Sequence, residues 1–299
     1  MSDARARALR GHGAMLLFSA LVAGSFPLGA AAANDIDPAA LTAARFAVAA
    51  GIVGAGVWAT GGTGGALTRA PWRWALLGGV FAIYFVLMFE GLRTAAPVSA
   101  AAVFTLTPPL AALFGWLLLR QAVTPVIAAA LALGGAGALW VVFRGDIGAL
   151  LALAVGRGEA VYLLGCVAHA AYTPLVRRVN RGERAAVSTF ATLLAGTAIL
   201  AVLGAPAILA TSWAELPARV WVAIGYTAVF ASAATFTLLQ YASLRLPASK
   251  VMAYTYLVPA WVVAWSAALG TAAPPASVVP GLVLTVAALA LLLRPGRGD

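Results

Sequence analysis

Apolar and polar positions alternate along the chain in long blocks. Charged or Pro/Gly-rich breaks separate ten apolar segments, approximately residues 13–33, 39–59, 72–92, 96–119, 124–144, 158–177, 185–210, 217–241, 247–270 and 275–294. Each is close to the roughly 20 residues a helix needs to cross about 30 Å of hydrocarbon. In lipid every backbone group must find its partner within its own segment unless a barrel closes, and these segments are too long and too evenly apolar for barrel strands. The pattern therefore predicts an all-α integral membrane protein with ten transmembrane helices.

Composition removes the soluble alternatives. Of the 299 residues 63% are apolar and 9% charged, against about 25% charged in an ordinary domain. Nineteen basic and nine acidic side chains cannot coat a water-soluble chain of this size. The net charge of +10 does not indicate nucleic acid, because the basic residues fall singly or in short groups between apolar segments and do not gather on one face. The positive-inside rule explains them. An even number of spans puts both termini on one side. Placing that side in the cytoplasm puts Arg5, Arg7, Arg10, Arg177, Arg178, Arg181 and Arg184 there, with Arg93, Arg144, Arg157 and Arg219 outside. Arg5, Arg7 and Arg10 before an apolar run also resemble a signal peptide, but an internal repeat uses this segment, so it is expected to remain as the first span.

The chain matches itself at an offset of 150 residues. Pro97, Ser99, Thr105 and Pro109 fall on Pro247, Ser249, Thr255 and Pro259; Glu90 falls on Gln240 and Phe104 on Tyr254. At an offset of 147, Pro27 falls on Pro174. The halves, 13–144 and 158–294, each hold five spans. An odd number inverts the second half in the membrane, an arrangement that places a substrate site near the midplane between the repeats.

The stretch YFVLMFEGLRTAAPVSAAAVFTLTPPLAALFGWLLL and its echo TFTLLQYASLRLPASKVMAYTYLVPAWVVAWSAAL, with Arg45 early in the second span, resemble the drug/metabolite transporter superfamily, and within it the EamA-type exporters. The likeness covers essentially the whole chain. It implies two inverted five-helix repeats, transport without ATP and a bacterial cytoplasmic membrane. The aromatic residues of spans three and nine make the chain similar to the YddG-type exporters, which implies aromatic amino acids as substrates. The family often carries a Glu just after the fourth span, where this chain has Arg120 and Gln121.

Span three presents Phe81, Tyr84, Phe85 and Met88 at i, i+3, i+4 and i+7, one helical face. Span nine presents Lys250, Tyr254, Trp261 and Trp265 at a helical spacing. These faces read either as lipid-facing bulk and an interfacial belt, or as the lining of a central cavity whose polar groups hold an amino-acid backbone. Lys250 is a candidate for attracting a carboxylate. His169, about mid-membrane, shares a face with Tyr172, and an imidazole at that depth needs a partner or a cavity. Ser99, Ser232 and Thr235 are candidate hydroxyl contacts. Arg45 and Glu90 are candidates for a gate or an ion pair, and Pro27, Pro109, Pro174 and Pro259 for hinges.

The single Cys166 and two histidines, His12 and His169, give no disulfide and no metal spacing. Lys250 follows Pro247, Ala248 and Ser249, so there is no phosphate-binding loop, and no cofactor is expected. The expected function is alternating-access export of small organic solutes, foremost aromatic or large neutral amino acids. A multidrug or other metabolite exporter is the near alternative. An intramembrane enzyme is the alternative from another class.

Overall fold

The computed structural model describes residues 3–152, 155–270 and 274–293. Its long helices are α1 (Ala8–Ala32), α2 (Pro38–Ala59), α3 (Trp72–Leu92), α4 (Pro97–Leu119), α5 (Pro125–Val142), α6 (Arg157–Val179), α7 (Ala185–Leu203), α8 (Ala218–Ser243), α9 (Ala248–Ala268) and α10 (Ala276–Leu292). Among the described residues α1 to α9 are long and apolar enough to cross a membrane, and α10 is a shorter apolar helix. The predicted end of the second repeat at Arg294 lies outside the described residues.

Local sequence sets the boundaries. Helices α2, α4 and α5 begin at a proline, whose missing N–H costs nothing in a first turn that has no acceptor for it. Asp37 caps α2 through the N–H of Ala39, and Thr124 caps α5 through that of Ile127. The predicted segment 185–210 is divided: α7 stops at Gly204, and a short helix, Ala205–Ala210, continues the chain with Pro206 in its first turn.

Four spans are irregular inside. Helix α1 breaks at Gly24, α4 at Thr105 and Leu106, and α9 tightens to a 3₁₀ turn over Tyr254–Leu257. Pro27, Pro109 and Pro259 lie within a turn after these breaks. Pro174, predicted as their counterpart, lies inside the uninterrupted α6. Helix α8 instead widens to a π-helix over Val229–Ala234, with no proline.

The closest helix pairs join the first half of the chain to the second: α3 with α6, α5 with α10, and α7 with both α2 and α3. Glycine permits this approach, because between helices in lipid close van der Waals packing has to replace the hydrophobic effect. A Cβ on Gly78 would stand 2.5 Å from the backbone N of Gly196, one on Gly91 2.7 Å from the carbonyl O of Gly158, and one on Gly137 2.7 Å from that of Gly281.

Exchanging helices 1–5 with 6–10 leaves the pairing unchanged. The α3–α6 contact has its counterpart in α8–α1, α3–α7 in α8–α2, and α4–α6 in α9–α1, while α2–α7, α4–α9 and α5–α10 map onto themselves. Two three-helix groups result, α3–α4–α6 and α1–α8–α9. At their junction the hydroxyls of Thr107 and Thr255, beside the breaks in α4 and α9, lie 3.2 Å apart.

Candidate functional site: a buried aromatic cluster and its polar edge

Between the two groups lies a cluster of rings. Helix α3 supplies Phe81, Tyr84 and Phe85, and all three are buried. Helix α6 brings His169 and Tyr172 against them: ring centroids are 5.4 Å apart for Phe81 and His169, 4.4 Å for Tyr84 and His169, and 3.9 Å for Phe81 and Tyr172. The face read from the spacing in span three thus meets the histidine and tyrosine read from span six. Met88 continues the same face of α3 and is fully buried.

Five further rings close the cluster, among them Tyr162 of α6 against Tyr84 and Phe104, and sequence periodicity did not single them out. Phe104 of α4 meets His169 edge-on at 5.0 Å. Phe236 of α8 lies 4.1 Å from Phe81 and stacks on Phe85 at 5.7 Å. Phe46 of α2 packs edge-on to Phe85 and Phe236, and Phe26 of α1 reaches Phe104 at 6.0 Å. In an all-apolar helix a ring facing a neighbour and a ring facing lipid have the same sequence signature. Gln240, the repeat counterpart of Glu90, did carry a signal: its Nε2 donates to the Tyr172 hydroxyl at 2.7 Å, across the junction.

Several polar atoms at this cluster are buried and without a hydrogen bond: His169 Nδ1, Gln240 Oε1 and Arg45 Nη1. No hydroxyl or thiol bonds to His169 among the described residues, so the pairing a nucleophile needs is not made there.

Arg45 and Glu90 do not meet, contrary to the expectation that they pair. Arg45 is fully buried and turns to α8. Its Nε donates to Ser232 Oγ at 3.0 Å, and its Nη2 to the Ala231 carbonyl at 2.7 Å, to that of Thr227 at 3.3 Å and to Ser232 Oγ at 2.8 Å. The physical reason is the π-helix, whose wider i→i+5 pairing interrupts the ordinary ladder and turns carbonyls aside. The guanidinium also lies 3.8 Å over the Phe85 ring, a favourable place for a cation. Glu90 lies near the end of α3, one-third exposed, with Arg93 at 3.1 Å and Arg157 at 3.7 Å. Such exposed pairs contribute about 0–1 kcal/mol.

The other predicted site residues make contacts outside the ring cluster itself or at its Arg45 edge. Ser99 donates to Glu159 Oε1 at 2.7 Å at the first turns of α4 and α6. Ser232 is taken up by Arg45, and Thr235 is buried on the next turn of α8. In span nine the expected single face is split, because the 3₁₀ turn has three residues per turn and rotates the remainder of the helix about its axis. Tyr254 lies against His12, its hydroxyl 3.1 Å from Nδ1. Trp261 is 38% exposed, and Trp265 packs edge-on to Tyr226 at 5.4 Å. Lys250 is half-buried in the first turn of α9.

Ion pairs close the two ends of the bundle. At one end Arg219 makes a bidentate pair with Asp35, and these bonds hold the Asp35 carboxyl below the usual value. At the other, the buried Arg73 donates to the Val179 and Arg69 carbonyls and, at 2.8 Å, to Glu183. Burial pushes the Glu183 carboxyl up, but the bonds from Arg73 and from backbone N–H groups of Arg181 and Glu183 outweigh it, so it stays below the ordinary value. A cleft of about 390 Å³ beside this pair is lined by Thr60, Gly62, Arg69, Arg181 and Arg184, among others.

A helical bundle with apolar spans, two sets of five helices paired by a common rule and a polar-edged ring cluster between them defines a duplicated multi-pass membrane protein of the transporter type. The model of the EamA-like transporter family matches it twice, over residues 9–143 and 156–294, and the chain belongs to that family. It is 26% identical over 260 residues to "Uncharacterized transporter YyaM" of Bacillus subtilis (strain 168), covering 86% of this chain and 85% of that one. One crystal structure, 24% identical, has a TM-score of 0.71 and covers 96% of this chain and 97% of its own. That likeness is one of fold.

Proposed function

We propose that the protein exports small organic solutes, foremost aromatic or large neutral amino acids, across a bacterial cytoplasmic membrane with both termini in the cytoplasm. The observation that supports this most is the ring cluster with its unpaired polar atoms, enclosed between the groups α3–α4–α6 and α1–α8–α9. Flat apolar side chains fit between rings, and a small number of polar atoms fixes the orientation of what binds. Across the junction the two groups meet through ring contacts, the Gln240–Tyr172 bond and the Thr107–Thr255 contact. Parting them at one end and then the other exposes the cluster to each side in turn, which is alternating access. The breaks beside Pro27, Pro109 and Pro259 and the π-helix of α8 lie where those helices have to bend.

The test is flux of labelled Phe, Trp, Leu, Thr and a cationic drug in proteoliposomes, with and without a proton gradient. Saturable flux of aromatic amino acids, lowered by His169→Ala, is the expected result. Drug flux without amino-acid flux moves the substrate to the multidrug class, and no flux of any probe refutes the proposal.

A further inference from the structure

Arg45 is a cation without an anion. It begins about two turns inside α2, which puts it on the order of 10 Å along the helix from that end, and no carboxylate contacts it among the described residues. A charge at such depth is rare and marks a functional site unless something neutralises it. What surrounds Arg45 is neutral: the Ser232 hydroxyl, the carbonyls of Thr227 and Ala231, and the Phe85 ring. A guanidinium has five N–H donors in a planar fork. Nε and Nη2 are held by the π-helix, which fixes the plane, and Nη1 has no partner. The arrangement is a guanidinium clamped through Nε and Nη2 with the two N–H donors of Nη1 left over, and these can make charge-assisted hydrogen bonds to a carboxylate oxygen.

Phe85 beneath the guanidinium is also part of the ring cluster, through Phe46, Phe81 and Phe236. A ligand whose ring lies against Phe85 therefore places a carboxylate on a short linker beside Arg45. Gln240 Oε1, an acceptor without a donor at the same cluster, suits an ammonium group.

We propose that Arg45 is the carboxylate-binding residue of the central site, so that the solute taken is an organic acid with a flat apolar body and not an amine or a neutral drug. This rests on the transport reading for its site, but its test does not require flux. The probes are phenylalanine, 3-phenylpropionate, phenylalaninamide and phenethylamine, the first two with a carboxylate and the last two without. Each is measured twice: as a competitor of labelled Phe flux in proteoliposomes, and as a stabiliser of the purified protein against heat in detergent, where anything that binds the native state raises the midpoint.

In the wild type the two carboxylates bind at least about tenfold more tightly than the amide and the amine, as expected when a charged hydrogen-bonded pair is made or lost. Arg45→Gln removes that preference, and Arg45→Lys keeps part of it, because the charge remains and the fork is gone. Where Arg45→Gln does not fold, Ser232→Ala serves instead: it loosens the clamp and weakens the carboxylates selectively. Equal binding of phenylalanine and its amide in the wild type overturns the proposal, as does a carboxylate preference undiminished in Arg45→Gln or, in its place, Ser232→Ala. An Arg45-dependent preference in the heat assay without flux refutes the exporter reading and leaves this one standing. Flux without the preference does the opposite. Phenylpropionate binding as well as phenylalanine assigns the site to organic acids at large, and weaker binding assigns it to amino acids.

Discussion

Replacing Gly137 or Gly281 with alanine tests whether backbone contact holds α5 against α10. Each Cβ would stand 2.7 Å from the other residue's carbonyl oxygen, and one on Gly137 would also stand 2.9 Å from Leu284 Cβ. Ordinary contact begins near 3.4 Å, so the helices must part by something like 0.5–1 Å along their seam. A gap of that size forfeits a quarter to a half of each dispersion contact it opens, and overpacking of this kind costs about 1–3 kcal/mol. Gly135, on the same helix, has nothing within 4 Å of its Cβ position, and Gly135→Ala is the control, expected within about 0.5 kcal/mol of wild type. The measurement is the midpoint of heat-induced loss of the monodisperse peak in detergent. Gly137→Ala and Gly281→Ala each lower it, Gly135→Ala does not, and the double substitution costs less than the sum, since the first alanine has already opened the seam for the second. A strictly additive pair, or a Gly135 variant as damaged as the other two, would refute the reasoning.

Acid should weaken the end of the bundle closed by Arg73 and Glu183. The carboxyl is held below its ordinary value of about 4.3, so its stabilisation is complete above that pH and is lost as the pH falls through the lower folded value; thermal midpoints of wild type and Glu183→Gln, measured between pH 7 and 3, should converge at the acid end. Phe236→Ala removes ring contacts with Phe46, Phe81 and Phe85, which at about 0.5–1.5 kcal/mol each amounts to roughly 2–4 kcal/mol in denaturation from mixed micelles, and an unchanged midpoint would show that the cluster is not packed as described. Asp35→Asn, which breaks an exposed pair with Arg219, should change stability by less than about 1 kcal/mol, and less still at high salt.

The spans were legible because the bilayer imposes one requirement on every crossing segment, about 20 apolar residues, and this chain meets it repeatedly. The face of α3 was legible for a related reason: Phe81, Tyr84, Phe85 and Met88 lie on a regular helix, where a period of 3.6 holds. The same arithmetic failed in α9, whose 3₁₀ turn over Tyr254–Leu257 shifts the register and sends Trp261 outward. The partner of Arg45 could not be read at all. Its acceptors are mostly backbone carbonyls, which every residue possesses, and they are turned aside by a π-helix that no proline or glycine marks. The repeat showed more than periodicity did in the second half, where Gln240 and Thr255, matched to Glu90 and Thr105, meet Tyr172 and Thr107 across the junction, although Glu90 and Thr105 themselves do not reach across it.

The pairing of early helices with late ones bears on how the chain is made. The first five helices leave the ribosome with Gly78, Gly91 and Gly137 facing partners not yet synthesised, and Arg45 must wait for Thr227, Ala231 and Ser232, 182 to 187 residues downstream. At about 5–20 residues per second that interval is roughly 10 to 40 s. For that time the newborn half-protein lacks both the acceptors that hold Arg45 and the partners of its glycine faces in the finished bundle.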